Sequence, residues 1–200
     1  MTTQFGTTDS DALLGENSEN LLVGDSGDDT IVGGNDDDSL TGGSGDDIII
    51  GSGGNDSLTG SSGDDLLNGG EAHDHIVGDS GDDTIVAGNG NDSLLGGSGN
   101  DLLNGGVGAD TLMGGDGADR FVFTDLDSLD VITDFDASQG DRIVFDITST
   151  NIAQVSDFTV HIGYGSSSDR VRMTSLYYED ERIVEFDRIV ALEVEDFEFI

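Results

Sequence analysis

The chain has no cysteine, no proline and no tryptophan, and only six basic residues stand against 43 acidic ones in 200 positions. Without cysteine no disulfide can hold the fold together, so a chain working in an oxidising space needs another source of stability. The shortage of positive charge leaves a formal net charge of -37, which excludes nucleic acid and anionic membrane surfaces as partners because that field repels phosphate. Cations are the natural counterpart. No apolar run approaches the length of a membrane span, so no membrane insertion is expected. The opening residues MTTQFGTTDSD carry neither a basic region nor an apolar core, and no cleaved N-terminal signal is expected. Aromatics are missing from Gly6 to Arg120; eleven of the twelve lie at Phe121 or later.

What is present is glycine, 32 of it, with aspartate, asparagine and serine. That composition also describes a disordered, solvating segment. Order along the chain excludes that reading. The string GDSGDDTIV begins at Gly24 and again at Gly78, and cutting every nine residues from Gly6 yields thirteen units that end at Val122 without insertion or deletion. Position one is Gly in twelve units, with Ala87 the exception; position six is Asp in twelve, with Asn20 the exception; position eight is apolar in all thirteen. Independent apolar hits at thirteen sites would arise on the order of once in a million trials. Fixed short periods mean stacked repeats.

The period predicts local structure. Position eight, flanked by β-compatible residues such as Thr30 and Val32, reads as the inward residue of a three-residue strand, with positions one to five as a turn. Two units make one coil of eighteen residues. Position eight then stacks in two rows, Leu13, Ile31, Ile49, Leu67, Ile85, Leu103 and Phe121 on one side and Leu22, Leu40, Leu58, Ile76, Leu94 and Leu112 on the other. One aliphatic side chain in nine is too thin a core to offset the ordering of nine backbones, several of them glycine, so apolar burial alone should not fold the array.

Coil stacking also sets each position-six Asp beside the one eighteen residues on: Asp11 by Asp29, Asp38 by Asp56, and so on to Asp101 by Asp119. At about 5 Å such a pair repels by roughly 1 kcal/mol in water and more at a protein surface. A divalent cation between the carboxylates reverses the sign. Calcium suits an all-oxygen set of carboxylates and backbone carbonyls in flexible geometry, whereas zinc and copper want Cys or His ligands. The side-chain ligands expected are Asp11, Asp29, Asp38, Asp47, Asp56, Asp65, Asp74, Asp83, Asp92, Asp101, Asp110 and Asp119, while the position-five Asp28, Asp37, Asp46, Asp64 and Asp82 read as solvated turn residues.

The consensus GGxGxDxUx, as in GGSGDDIII at Gly42 and GGSGNDLLN at Gly96, resembles the repeats-in-toxin, or hemolysin-type, calcium-binding family over about 117 of the 200 residues. The resemblance implies an all-β fold, a right-handed parallel β-roll, with several calcium ions between neighbouring turns. It implies backbone-carbonyl ligands from positions one to four, here Gly24, Gly27, Gly42, Gly43, Gly45, Gly51, Gly54, Gly60, Gly63, Gly78, Gly81, Gly96, Gly97, Gly99, Gly105 and Gly108. It further implies secretion from bacteria by one-step (type I) export machinery that reads an uncleaved C-terminal signal. The stretch DVITDFDASQGDRIVFDI from Asp130 is similar to the segment after the repeats in the family's secreted metalloproteases, and DFEFI from Asp196 resembles their terminal motif, with Glu198 interrupting the apolar run.

Three parts follow: a tail (1–5), the array (6–122), and a β-rich cap (123–200) with strands expected at Val131 to Phe135, Asp141 to Ile147, Phe158 to Ile162, Arg170 to Thr174 and Arg182 to Phe186. His73 and His75 flank Asp74 and read as surface residues more readily than as a transition-metal site, and His161 reads as structural. There is no HExxH and no nucleophile paired with a base, so no enzyme is expected. The reading is of a secreted calcium-binding protein that folds on its ions. The alternatives are a calcium-dependent adhesive or matrix protein, whose rod is a spacer for a cell-surface or polysaccharide ligand, and an enzyme with its site in the cap. Apolar outward residues Ile48, Leu66 and Leu102 speak for the adhesive reading.

Overall fold

A computed structural model describes residues 1–124 and 128–145 and, beyond them, the backbone of four strands (158–164, 172–178, 181–186 and 197–199) with the Glu198 side chain. The fold is an all-β parallel solenoid with no helix among the described residues, and so none that is long and apolar enough to cross a membrane. Each coil gives one strand to each of two sheets. The nine-stranded sheet runs from Ala12–Leu14 to Phe197–Phe199, and the eleven-stranded sheet runs from Thr2–Phe5 to Phe158–Tyr164. Pairing is parallel with a shift of eighteen residues, as in Leu40↔Leu58 and Ile85↔Leu103. The eighteen-residue coil expected from two nonads is therefore the structural repeat.

Strands are longer than the three residues expected. Ser39–Ser44, Ser57–Ser62 and Thr111–Asp116 run from position seven of one unit to position three of the next. The glycines explain the extension: position one lies inside, where a side chain would fill the interior, so the strand carries two inward residues, one aliphatic and one Gly. The turn is compressed into positions four to six. From Gly24 onward the residue at position two has positive φ, for example Gly43 (φ 126) and Gly97 (φ 124), as does position four in every unit except that of Asp36. L-residues rarely adopt this conformation. Five non-glycine residues nevertheless do so: Asp25, Ser52, Ser61 and Asp79 at position two and Ala72 at position four.

Position-eight side chains make the core as the sequence predicts; Leu22, Ile31, Leu40, Ile49, Leu58, Leu67, Ile76 and Ile85 are completely buried. From Phe121 onward aromatic residues join the core, with Phe121 against Phe135 (centroids 6.1 Å apart) and Phe123 against Phe145 (5.7 Å). Coil stacking also continues there. Asp130–Ile132 pairs in parallel with the strand at Thr111, Arg142–Phe145 pairs with the strand at Arg120, and Glu181–Phe186 and Phe197–Phe199 stack on these in turn. The two strands Phe158–Tyr164 and Arg172–Tyr178 are antiparallel additions to one sheet edge. A strand overlaps each of the five stretches expected beyond the array, with different bounds: the first ends at Ile132 rather than Phe135 and the fourth runs on to Tyr178, while 146–147 and 170–171 lie outside the described residues. On the outer face, Arg120 donates two hydrogen bonds to the Glu198 carboxylate (2.8 and 3.2 Å), tying Phe197–Phe199 to the solenoid wall. The His161 side chain, Asp196 and Ile200 lie outside the described residues.

Candidate metal centre

The position-six aspartates are buried: Asp29, Asp47, Asp83, Asp101 and Asp119 are at most 1% exposed, and Asp38, Asp56, Asp65, Asp74 and Asp92 at most 4%. They do not simply face one another across the strand spacing. Each Oδ1 accepts a hydrogen bond from the backbone N–H of the position-six residue one coil earlier, as Asp47 Oδ1 does from Asp29 N–H (2.7 Å) and Asp74 Oδ1 from Asp56 N–H (2.8 Å). The neighbouring carboxylates are thereby separated by a peptide N–H.

The second oxygen is left over. Oδ2 of Asp29, Asp38, Asp47, Asp56, Asp65, Asp74, Asp83, Asp92, Asp101 and Asp119 is buried with no hydrogen-bond donor. An orphaned, buried anionic oxygen is costly, and a row of ten is not a packing accident. Beside every Oδ2 except that of Asp92, whose unit begins at the buried Ala87, lies the position-one glycine of the same unit. A methyl group built on Gly24 would collide with Asp29 Oδ2 and lie 2.5 Å from the Gly42 carbonyl oxygen of the next coil; on Gly51 it would meet Asp56 Oδ2 and Gly69 O (2.6 Å), and on Gly96 Asp101 Oδ2 and Gly114 O (2.6 Å). Glycine keeps open a small space walled by oxygens. Carbonyls at positions two and four point the other way, toward the following coil: a methyl on Gly43 would strike Asp25 O, and one on Gly45 would strike Gly27 O.

Electrostatics agree with a missing positive charge. Burial pushes the carboxyls of Asp56 and Asp83 from 3.8 to about 7, and those of Asp65, Asp74, Asp101 and Asp119 to about 6; the N–H from the preceding coil opposes the shift without cancelling it, and nearby carboxylates add to it in all six. Asp38, Asp47, Asp92 and Asp141 are raised for the same first reason, burial. The donor set is oxygen only. Among the described residues no three His, Cys, Asp or Glu side chains converge on one point, so an ion held here must draw on backbone carbonyls. Such a set fits calcium, a hard cation taking six to eight oxygens.

Two positions depart from the pattern. Asn20 replaces Asp, and its Nδ2 donates to Glu16 O (3.0 Å), Gly33 O (3.2 Å) and Asp38 Oδ1 (2.9 Å). Asp11 is only partly buried, and its Oδ2 accepts from the N–H (2.6 Å) and hydroxyl (2.9 Å) of Thr7. The ladder also extends beyond Val122: Asp130 Oδ1 accepts from Asp110 N–H (2.9 Å) and Asp141 Oδ1 from Asp119 N–H (3.1 Å). Asp130–Ile132 and Asp141–Ile143 keep the spacing of positions six and eight, and that local signal marks them in the sequence although the nine-residue count does not.

The exposed position-five residues form a second ladder running in the opposite sense. Asp28 Oδ1 accepts from Asp46 N–H (3.0 Å), Asp46 from Asp64 (2.9 Å), Asp64 from Asp82 (2.8 Å) and Asp82 from Asn100 (2.7 Å). They are exposed turn residues with a structural task. His73 belongs to the matching ladder on the other corner, its N–H donating to Asn55 Oδ1 (3.1 Å) and its Nδ1 accepting from Asn91 N–H (2.7 Å), while His75 stands exposed on a strand face between Ser57 and Ser93.

The fold and the donor set together define a parallel β-roll built for an oxygen-ligated cation. Seven overlapping windows from residue 5 to residue 121 match the model of the RTX calcium-binding nonapeptide repeat (4 copies), more than half of the chain, and the chain belongs to that family. A subunit of the Azotobacter vinelandii mannuronan C5-epimerase, solved in solution, is similar at 27% identity over 82% of this chain and 78% of that one, with a TM-score of 0.33. The extracellular lipase LipA of Serratia marcescens is similar at 16% identity, with a TM-score of 0.27; the alignment covers 99% of this chain, which spans 40% of the lipase's length. No curated protein matches the chain.

Proposed function

We propose that this is a secreted, non-enzymatic calcium-binding protein that is disordered at low calcium and folds as ions fill the spaces between its coils. The row of orphaned Oδ2 atoms carries the reading, because ten buried carboxylate oxygens facing carbonyls need positive charge and the chain supplies none there. An ion between the coils at Gly24 and Gly42 would be held by Asp29 Oδ2 with the carbonyls of Asp25, Gly27 and Gly42; the same set recurs every nine residues along both corners. When bound, calcium supplies charge and coordination. The chain's part is to hold the carboxylate by its Oδ1 hydrogen bond and to leave room through glycine.

Binding free energy is then folding free energy, since the site does not exist in the unfolded chain. With affinity near about 10⁻⁴ to 10⁻³ M, as in extracellular modules, the chain stays unfolded at the calcium levels to which intracellular sensors respond. Export by a one-step transporter that threads an unfolded chain, followed by folding outside, fits that range. Far-UV circular dichroism during a calcium titration at neutral pH tests the proposal; an ordered β spectrum in excess chelator would sink it.

One observation favours the adhesive reading as an addition. Ile48 (41% exposed) and Leu66 (44%) are register neighbours on the outer face of one sheet, with Leu14 (62%) exposed on the same sheet nearer its edge. A calcium-loaded chain that stays strictly monomeric and binds neither cells nor polysaccharide would rule this addition out.

A further inference from the structure

We infer that the ion-dependent part of the coil stack ends at Asn20 on one side and at Asp141 on the other, where hydrogen bonds within the chain take up the oxygens that a cation takes elsewhere. The inference rests on the calcium reading above and deepens it.

Compare Asn20 with Asp29. Around Asp29, the orphaned Oδ2 shares its space with the position-one carbonyl of the following coil, Gly42 O. Around Asn20, the equivalent carbonyl is Gly33 O, and the Asn20 Nδ2 donates to it. The same amide reaches the position-two carbonyl of its own unit, Glu16 O, and the next position-six carboxylate, Asp38 Oδ1. Two oxygens of the kind proposed to bind calcium, Glu16 O and Gly33 O, are gathered by one NH₂ group, which also meets the ladder oxygen Asp38 Oδ1. Its orientation follows from those partners, since a flipped carboxamide would set its oxygen against three acceptors. Asn20 Oδ1 is the carboxamide atom without a partner, buried like the orphaned Oδ2 atoms but uncharged.

The other corner of the first coil is closed by a different device with the same result. Asp11 Oδ2, the atom left orphaned in the later units, accepts from both the N–H and the hydroxyl of Thr7. Neither turn of this coil has the positive-φ pair at positions two and four that starts at Asp25 and Gly27. On this inference Asp11 holds no ion.

At the far end, Asp141 closes the ladder by accepting twice. Its Oδ1 takes the Asp119 N–H (3.1 Å) and its Oδ2 takes the Asp136 N–H (2.7 Å). The four extra residues between Asp119 and Asp141, against the usual eighteen, bring the Asp136 peptide round to face Oδ2. No oxygen is left over. Neutral donors from the chain itself thus bound the calcium-dependent part at both corners of the first coil and at the Asp141 corner of the far end.

The test is an ion count by native mass spectrometry at saturating calcium on the full chain, with circular dichroism to confirm that each variant folds. N20D restores a carboxylate to an otherwise complete oxygen set and should gain one ion over the unmodified chain. D141N should keep the original count, whereas D119N, which removes an orphaned oxygen, should lose at least one. An unchanged count in N20D, or an ion lost in D141N, overturns the inference. If N20D does not fold, the comparison of D141N with D119N still decides the C-terminal boundary. An unmodified chain that binds no calcium at all overturns the calcium reading itself, which separates the two failures.

Discussion

Replacing Asp65 by asparagine should make the chain easier to fold without calcium and harder to fold with it. Asp65 is 2% exposed; its Oδ1 accepts the Asp47 N–H (2.7 Å), its Oδ2 has no donor, and burial pushes its carboxyl from 3.8 to about 6. A folded-state pKa above the unfolded value means that ionisation opposes folding, fully so at pH above about 6. From 3.8 to about 6, at about 1.36 kcal/mol per pH unit, the opposition is roughly 3 kcal/mol. Asparagine removes the charge, keeps the Oδ1 acceptor, and turns an NH₂ toward Gly78 O, as Asn20 does toward Gly33 O. D65A also removes the charge but strands the buried Asp47 N–H, at a cost of about 1 to 3 kcal/mol. In chelator at pH 7.5, with folding driven by an excluded osmolyte and followed by circular dichroism, D65N should fold at the lowest osmolyte concentration. D65A should follow, level with or ahead of the unmodified chain. In saturating calcium the unmodified chain should become the most stable of the three. A D65N chain that needs more osmolyte than the unmodified one in chelator would refute the claim that the buried charge opposes folding.

Other outcomes follow from the same geometry. In chelator, β-structure should increase as pH falls from about 7 toward 4, because six carboxyls raised to about 6 or 7 bind more protons folded than unfolded; in calcium the trend inverts, with the midpoint concentration rising as protons compete, and circular dichroism along both titrations checks it. D65A should raise the calcium midpoint more than D28A, since Asp28 accepts only the exposed Asp46 N–H; equal shifts in parallel calcium titrations would mean that the wrong carboxylates are assigned. A72G should raise the melting temperature of the calcium-loaded chain by the equivalent of about 1 kcal/mol, because Ala72 sits at φ 80 where other units place Gly; an unchanged melt would show that this turn relaxes freely.

The periodic features were legible in the sequence because nearly every unit meets the same three demands at once. Gly at position one, Asp at six and an apolar residue at eight each answer to one coil-to-coil contact, and the structure returns them as the open space, the ladder and the core. Strand length was not legible, since Gly at position one reads as a turn residue until the space beside Asp Oδ2 shows why a strand needs it there. Nor was ladder polarity: sequence spacing sets Asp47 beside Asp65 but cannot say that the Asp47 N–H rather than its carboxylate meets the partner. Asp130 and Asp141 escaped because spacings of twenty and twenty-two residues break the count of eighteen while leaving the local Asp and aliphatic pair intact.

The regularity of the position-six rows gives the molecule a property of a polymer. With adjacent coils about 4.8 Å apart and one buried carboxylate at each corner, charge accumulates along the axis at roughly one per 2.4 Å, near the one per 1.7 Å of duplex DNA. A line charge of that density gathers its own counterion atmosphere. On the proposed reading, calcium must compete with that atmosphere as the coils form, and raising the ionic strength should raise the calcium concentration at which the chain folds.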